Sequence, residues 1–235
     1  MKYIFLFIFL TALCSTPIFA QLKNESELGI AAANGNTKTQ TYNFKQMNSY
    51  PWEKNNFIFN ARYLNAFANS VESARYFNAN LRFERALDER FSLFITETFE
   101  KDKFAGIYQR LITDVGGKYA ITKTEKTKWS AELGYRYMQE ERLDGTKISQ
   151  NYGRAYSEID RQWNVNFSTK YWLEYLPNFT NSTDYQFNTE LSLSVLLTNI
   201  FSLKSGFLLR YDNLPAPGIF HKTDTLLTTA LVAKF

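Results

Sequence analysis

The 235-residue chain carries 27 Lys and Arg against 23 Asp and Glu, and its formal net charge of +4 is spread with signs interspersed, which excludes a nucleic-acid-binding stripe. Aromatic residues reach 17%, with 15 Tyr and 21 Phe, yet mean hydropathy is negative and no long apolar run follows Ala20. That excludes transmembrane helices and suits sheets with one apolar and one polar face.

At the N-terminus Lys2 precedes an apolar run from Ile4 to Leu13, Pro17 breaks it, and Ile18-Phe19-Ala20 ends on a small residue suited to signal peptidase. The run is shorter than the ~20 residues that span a bilayer. A cleaved signal peptide over 1–20 is therefore expected, followed by one barrel domain over 21–235. Cys14 is the only cysteine, so the exported chain has no disulfide and no thiolate ligand. Leu13 is too bulky for a lipoprotein signal.

From Asn24 onward the chain alternates with period two between polar or Gly/Asn/Asp turns. In 57–67, Phe57, Phe59, Ala61, Tyr63 and Phe67 share one parity, opposite Asn60 and Arg62. The same segregation recurs in 129–137, 185–195 and 201–211. Twelve strands are predicted: 24–34, 38–50, 54–67, 72–86, 90–100, 107–121, 126–140, 149–161, 163–177, 183–197, 200–213 and 224–235. Soluble strands average nearer 5–6 residues, whereas a tilted strand needs ~9–11 to cross hydrocarbon. The expectation is an all-β, antiparallel up-and-down transmembrane barrel of about twelve strands, 10–14 at the outside, with both termini periplasmic. Two runs, 90–100 and 149–161, alternate poorly. Glu97 falls on the lipid-facing parity, which a bulge or a strand end beyond the hydrocarbon would accommodate.

With the first strand running outward, periplasmic turns fall near 51–53, 87–89, 122–125, 162 and 198–199. Trp52, Trp129, Trp163 and Phe201 then form an interfacial aromatic girdle at that rim, while Trp172 lies apart from it. The two longest connections, Glu141–Ser149 and Asn213–Lys222, face outward. The last strand ends on Leu231 and Phe235, the pattern of a C-terminal signal for insertion by barrel assembly machinery. A soluble β-sandwich or periplasmic barrel binding a small apolar ligand would also alternate, but strand length and the closing Phe235 favour the membrane barrel.

Parity sends to the lumen Lys45, Arg62, Arg82, Glu84, Arg110, Asp114, Lys118, Glu132, Arg136, Glu174, Glu190 and Arg210. A Lys or Arg on the lipid face at mid-bilayer costs ~2–4 kcal/mol, so inward segregation is physically required. Near balance of sign admits two readings: a barrel stapled by ion pairs, or a small water-filled pore. Catalysis has a thin basis. The single histidine, His221, has Asp224 close in sequence, but no Ser stands in a Gly-x-Ser-x-Gly context, so an outer-membrane hydrolase is the weaker alternative. Asp144-Gly145 reads as a turn rather than a Ca²⁺ loop. No catalytic, cofactor or metal residue is expected.

An ordered set of short segments resembles a known family. These are Asn34-Gly-Asn-Thr-Lys-Thr39, Phe99-Glu-Lys-Asp-Lys-Phe-Ala-Gly106 with Arg110, Gly116-Gly117, Glu132-Leu-Gly-Tyr-Arg136, and Pro215-Ala-Pro-Gly218 with Lys222-Thr-Asp-Thr225. Together the chain resembles domain-of-unknown-function family 481, whose members carry the description of salt-induced outer-membrane proteins. Asn34 stands where Ser is commoner, and Ala216 interrupts a double proline. The resemblance implies a barrel, a Gram-negative outer-membrane location and a link to salt or envelope stress; it implies no catalytic residues. The expected partners are outer-membrane lipid and, during biogenesis, periplasmic chaperones and the assembly machinery.

Overall fold

A strand with one apolar and one charged face satisfies its backbone only between two neighbours, and in a bilayer the sheet must close on itself. The computed structural model, which describes residues 22–33 and 38–235, shows that closure. The expected signal segment and most of the 34–39 segment lie outside the described residues. The strands are β1 (Lys23–Ala33), β2 (Thr39–Trp52), β3 (Asn55–Ala68), β4 (Val71–Ala86), β5 (Phe91–Asp102) and β6 (Ile107–Lys123), followed by β7 (Thr127–Arg142), β8 (Lys147–Gln162), β9 (Phe167–Pro177), β10 (Tyr185–Leu196), β11 (Phe201–Asp212) and β12 (Thr223–Lys234). Each pairs antiparallel with its sequence neighbours, and β1 pairs β12 to complete the ring. The seam runs from Glu25↔Lys234 to Leu28↔Leu231. Beyond it, Asn24 and Phe235 exchange two backbone hydrogen bonds, each 3.0 Å.

The two faces are inverted relative to a soluble protein. Leu133 is 72% exposed on the outside, while its chain neighbour Glu132, pointing inward, is 4% exposed. Leu28, Phe44, Phe59, Leu81, Leu203, Phe207 and Leu227 are exposed like Leu133, and Glu27, Asp114 and Glu174 are buried like Glu132. An apolar exterior around a charged interior is the arrangement of a barrel immersed in lipid, and the soluble alternative does not fit it.

The start of β1, the end of β12 and the short turns at 53–54, 87–90, 124–126, 163–166 and 197–200 share one end. Trp52, Trp129, Trp163 and Phe201 are exposed around that end. Trp129 Nε1 donates to Ser157 Oγ at 3.0 Å and Trp163 Nε1 to Thr169 Oγ1 at 2.9 Å, so each indole has an apolar ring and a satisfied N–H.

Three expectations are corrected. Trp163 does not begin a strand; it opens a four-residue turn at 163–166 in place of the single-residue turn at 162. Trp163 N–H donates to Phe167 O at 3.0 Å, and Asn164 Oδ1 accepts from the N–H groups of Asn166 and Phe167, both at 2.9 Å, the Asx geometry that ends extended backbone. Glu141–Ser149 is not a long connection either. Glu140 and Glu141 register with Ile148 and Lys147, so only 143–146 turns, with Gly145 at φ 84° and Asp144 accepting from Thr146 N–H at 2.8 Å. The second long connection, after 213–222, is instead 178–184.

Thirdly, neither a bulge nor a strand end removes Glu97 from the lipid face. The register Leu81↔Glu97↔Thr113 is regular, the nearby irregularity falling between Glu100 and Asp102. The carboxylate is exposed in mid-strand and accepts from Thr113 Oγ1 at 2.8 Å. Glu97→Leu is therefore expected to stabilise the barrel in lipid vesicles by about 1–2 kcal/mol, below the ~2–4 kcal/mol of a cation there. Urea unfolding of the two proteins in the same vesicles measures the difference.

The weak alternation of β8 also has a local cause. Its outward residues Asn151, Gly153, Ala155 and Ser157 are small or polar, and neighbours cover three of them: Tyr135 of β7 donates its hydroxyl to Asn151, Trp129 of β7 bonds Ser157, and the Phe179 ring lies over Gly153.

Candidate functional site in the barrel lumen

Register decides which lumen charges become neighbours. One continuous row of Cα partners runs Glu27↔Lys45↔Arg62↔Asn78↔Glu100↔Arg110↔Glu140 across β1 to β7. Another runs Lys118↔Glu132↔Tyr156↔Glu174↔Asn188↔Arg210 across β6 to β11. Opposite charges are direct partners at Glu27↔Lys45, at Glu100↔Arg110↔Glu140 and at Lys118↔Glu132, and there adjacent strands attract through their inner faces.

The first structure built this way is a network on the β4–β9 wall. Arg82 donates to both oxygens of Glu132, at 2.8 and 3.2 Å, and to Glu84 at 2.7 Å. Arg154 bonds Glu132 and Glu174, both at 2.7 Å. Arg136 is bidentate to Asp114, at 2.6 and 2.8 Å, and reaches Glu174 at 3.1 Å. Lys118 adds a contact to Glu84 at 3.2 Å. Planar guanidinium forks can bridge two carboxylates at once, which is why arginine rather than lysine holds the nodes.

Phe94 supports the network from inside. The Arg82 guanidinium lies 4.0 Å from its ring centroid, and the Arg154 guanidinium 5.7 Å. The ring finds room only because Gly116 is opposite: a Cβ there would stand 2.9 Å from Phe94 Cζ and closer still to the Leu133 carbonyl. Gly116→Val is expected to displace the ring and weaken the barrel by about 1–3 kcal/mol, the overpacking range. The change in urea midpoint of the folded barrel checks it.

A second structure spans the lumen. Arg210 on β11 lies 4.5 Å from the Tyr76 ring centroid, and its Nη1 is 3.8 Å from Asp102 Oδ2 on β5. Strands β5 and β11 are six places apart whichever way the ring of twelve is followed, so this contact is diametric. Tyr76 is 8% exposed and donates to Glu100 Oε2 at 3.1 Å. Arg110 Nη1 then donates to Glu100 Oε1 at 2.9 Å, and Arg110 Nε to Glu140 Oε2 at 2.8 Å. Arg142 Nε completes the chain on Glu140 Oε1 at 2.8 Å. The bar is thus anchored on the β4–β7 wall and touched by one arm from the opposite side.

Two cavities flank this bar. One of about 280 Å³ opens at the long-loop end among Asp184, Asp212, Pro215, Ile219 and His221. The other, of about 590 Å³, opens at the short-turn end among Glu25, Asp160, Ser168, Ser202 and Lys234. Arg62, Tyr76 and Trp172 line both, so the cavities meet at these three side chains. Water occupies about 30 Å³ in the liquid, and both spaces are lined with charge, so both are hydrated.

Among the charges singled out from parity, Lys45, Arg82, Glu84, Asp114, Lys118, Glu132 and Glu190 line the larger cavity. Arg110, Arg136, Glu174 and Arg210 line the smaller, and Arg62 lines both. Arg154, 9% exposed and bonded to two carboxylates, was not among them, because β8 alternates too weakly for its parity to be read. Tyr76, Phe94 and Trp172 were missed for another reason. Each shares the parity of lumen charges on its own strand, but an aromatic residue reads first as lipid-facing. His221 lies exposed at the long-loop mouth and, among the described residues, makes no side-chain hydrogen bond to a serine or carboxylate.

Comparison with known proteins places this geometry. Solved structures similar in fold include the NanC porin, with a TM-score of 0.55 at 11% identity, covering 90% of this chain and 98% of that one. An outer membrane channel from Pseudomonas putida F1 has a TM-score of 0.54 at 11% identity, covering 91% and 94%. The KdgM porin has a TM-score of 0.51 at 12% identity, covering 91% and 99%. These identities carry the fold alone. No curated protein matches the sequence. Residues 26–235 match a family described as protein of unknown function, DUF481.

Proposed function

The chain belongs to DUF481, a family whose description assigns no activity, and we propose from its lumen that it is a narrow, hydrated outer-membrane channel for ions or small solutes. The observation that carries this reading is the meeting of the two cavities at Arg62, Tyr76 and Trp172. Beside that meeting, on the side of the smaller cavity, Arg210 reaches across the barrel to Tyr76 and Asp102. A hydrated path narrowed by a few side chains conducts when those side chains move. The termini and the tryptophan girdle then face the periplasm, after export and removal of the leader near Ala20, and the long loops at 178–184 and 213–222 face outward. In this reading Leu231 and Phe235, both exposed on the outside of β12, are presented to the assembly machinery during insertion.

A purely structural barrel is the second reading, favoured by the density of the Arg82–Glu132–Arg154–Glu174–Arg136–Asp114 network. No hydrolytic step is assigned, since among the described residues the His221 side chain is hydrogen-bonded to neither a serine nor a carboxylate. Planar-bilayer recording of refolded protein separates the two readings. Small discrete steps in molar salt are expected, and their absence would leave the structural barrel.

A further inference from the structure

We propose that Lys45 and Arg62 form a binding site for a small monovalent anion, a halide or a small carboxylate, where the two lumen cavities meet. The proposal rests on the narrow-channel reading for its role, although the site itself is a matter of equilibrium binding.

Lys45 and Arg62 are direct Cα partners on β2 and β3, and like charges directly opposite on one face repel. Every other arginine along the two networks has a carboxylate within salt-bridge distance: Arg82 at 2.8 Å, Arg110 at 2.9 Å, Arg136 at 2.6 Å, Arg142 at 2.8 Å, Arg154 at 2.7 Å and, more loosely, Arg210 at 3.8 Å. Among the described residues, neither Lys45 nor Arg62 has a carboxylate within salt-bridge distance, and neither donates a side-chain hydrogen bond. The Arg62 Nε is buried without an acceptor, so its guanidinium is aimed into the lumen without a protein anchor. The Tyr76 ring lies beside it, with 6.0 Å from Cζ to the ring centroid.

Two of the neighbouring acids are already engaged, and a third, Glu190 in the same cavity, lies beyond salt-bridge distance of both cations. Glu27, the partner of Lys45 on β1, accepts from Lys204 Nζ at 2.9 Å. Glu100 is held by Arg110 and Tyr76. Asn78, which follows Arg62 in the row, is neutral. Moving Lys45 onto Glu27 would only release Lys204, so a change of rotamer conserves the surplus. Around these two residues Lys45, Arg62 and Lys204 stand against Glu27 and Glu190, a local excess of one positive charge within a cavity whose full lining balances at eight cations and eight carboxylates. An excess of one is neutralised by a monovalent anion, whereas a dianion would reverse it. Arg62 lines both cavities, so an anion held there stands on the path between them.

Trp172 lines both cavities as well and serves as a reporter. In a barrel whose Trp52, Trp129 and Trp163 are changed to Phe, iodide is expected to quench Trp172 with a saturating dependence that caesium does not reproduce. Lys45→Gln or Arg62→Gln is expected to weaken the apparent iodide affinity about fivefold, the Coulomb attraction of one unit charge at ~4 Å in water. Arg62→Lys is expected to keep it. In salt-gradient bilayers the reversal potential of the unaltered channel is expected to favour chloride, and both Gln variants to shift it towards zero.

Should the multiply substituted chain fail to fold, the unaltered protein suffices. Its unfolding temperature is expected to rise in iodide relative to equal ionic strength of bulky gluconate. Linear quenching equal for iodide and caesium, or quenching indifferent to Lys45→Gln and Arg62→Gln, overturns the site, as does an unfolding temperature equal in the two salts. Saturable quenching without conductance keeps the site and removes the channel. Conductance without anion preference or iodide binding keeps the channel and removes the site.

Discussion

Arg210→Ala is expected to raise unitary conductance severalfold while leaving the barrel folded. The arginine reaches from β11 to β5 on the opposite wall, and alanine ends at Cβ, so the smaller cavity widens beside its meeting with the larger by the whole side chain. Stability should change little. The 3.8 Å contact with Asp102 is long, and the arginine side chain is 33% exposed, conditions under which an ion pair contributes at most about 1 kcal/mol. Bilayer recording gives the conductance, and urea unfolding in vesicles the stability. Conductance unchanged by Arg210→Ala in a folded barrel removes the bar as the constriction.

The opposite pattern is expected for Glu132. Its carboxylate, 3% exposed, accepts from both Arg82 and Arg154, so Glu132→Ala leaves two buried guanidinium groups short of a counter-charge. Breaking a buried pair by removing one partner costs about 3–5 kcal/mol. Glu84 and Glu174 retain one contact to each arginine, which places the expected loss near the lower figure. Replacing Arg154 by Met in the same chain should recover part of it, because the orphaned charge disappears with its partner. Urea midpoints of the two single variants and the double variant give the coupling. Additive losses would show that Glu132 and Arg154 act independently.

These two sites show why one residue type has different consequences. Arg154 and Arg136 are held by two carboxylates each and belong to the wall. Arg210 makes one long ionic contact and a ring contact, and it belongs to the passage. Arg62 makes no ionic contact among the described residues and faces both cavities, which leaves it available to a mobile ion.

The sequence by itself determined the twelve strands, their inward and outward parities and the aromatic rim, because each depends only on the order of residues along one strand. A period of two assigns a face whenever apolar and charged positions alternate cleanly, as in β3, β7 and β11. It failed where neighbours supply what a strand lacks. The outward face of β8 is small and polar where Tyr135 and Trp129 of β7 and Phe179 of the next loop cover it, so Arg154 went unread. Glu97 finds its donor on the next strand, where its own strand gives no hint of one. Only the tertiary structure decided how the inward charges combine. The cross-lumen contact of Arg210 joins strands half a barrel apart, and the lone position of Lys45 and Arg62 follows from Lys204 reaching Glu27 across 177 residues of chain. Parity is a local property and pairing is set by register and closure, so the sequence determined a barrel with a charged lumen, and the fold decided where that lumen is filled and where it remains open.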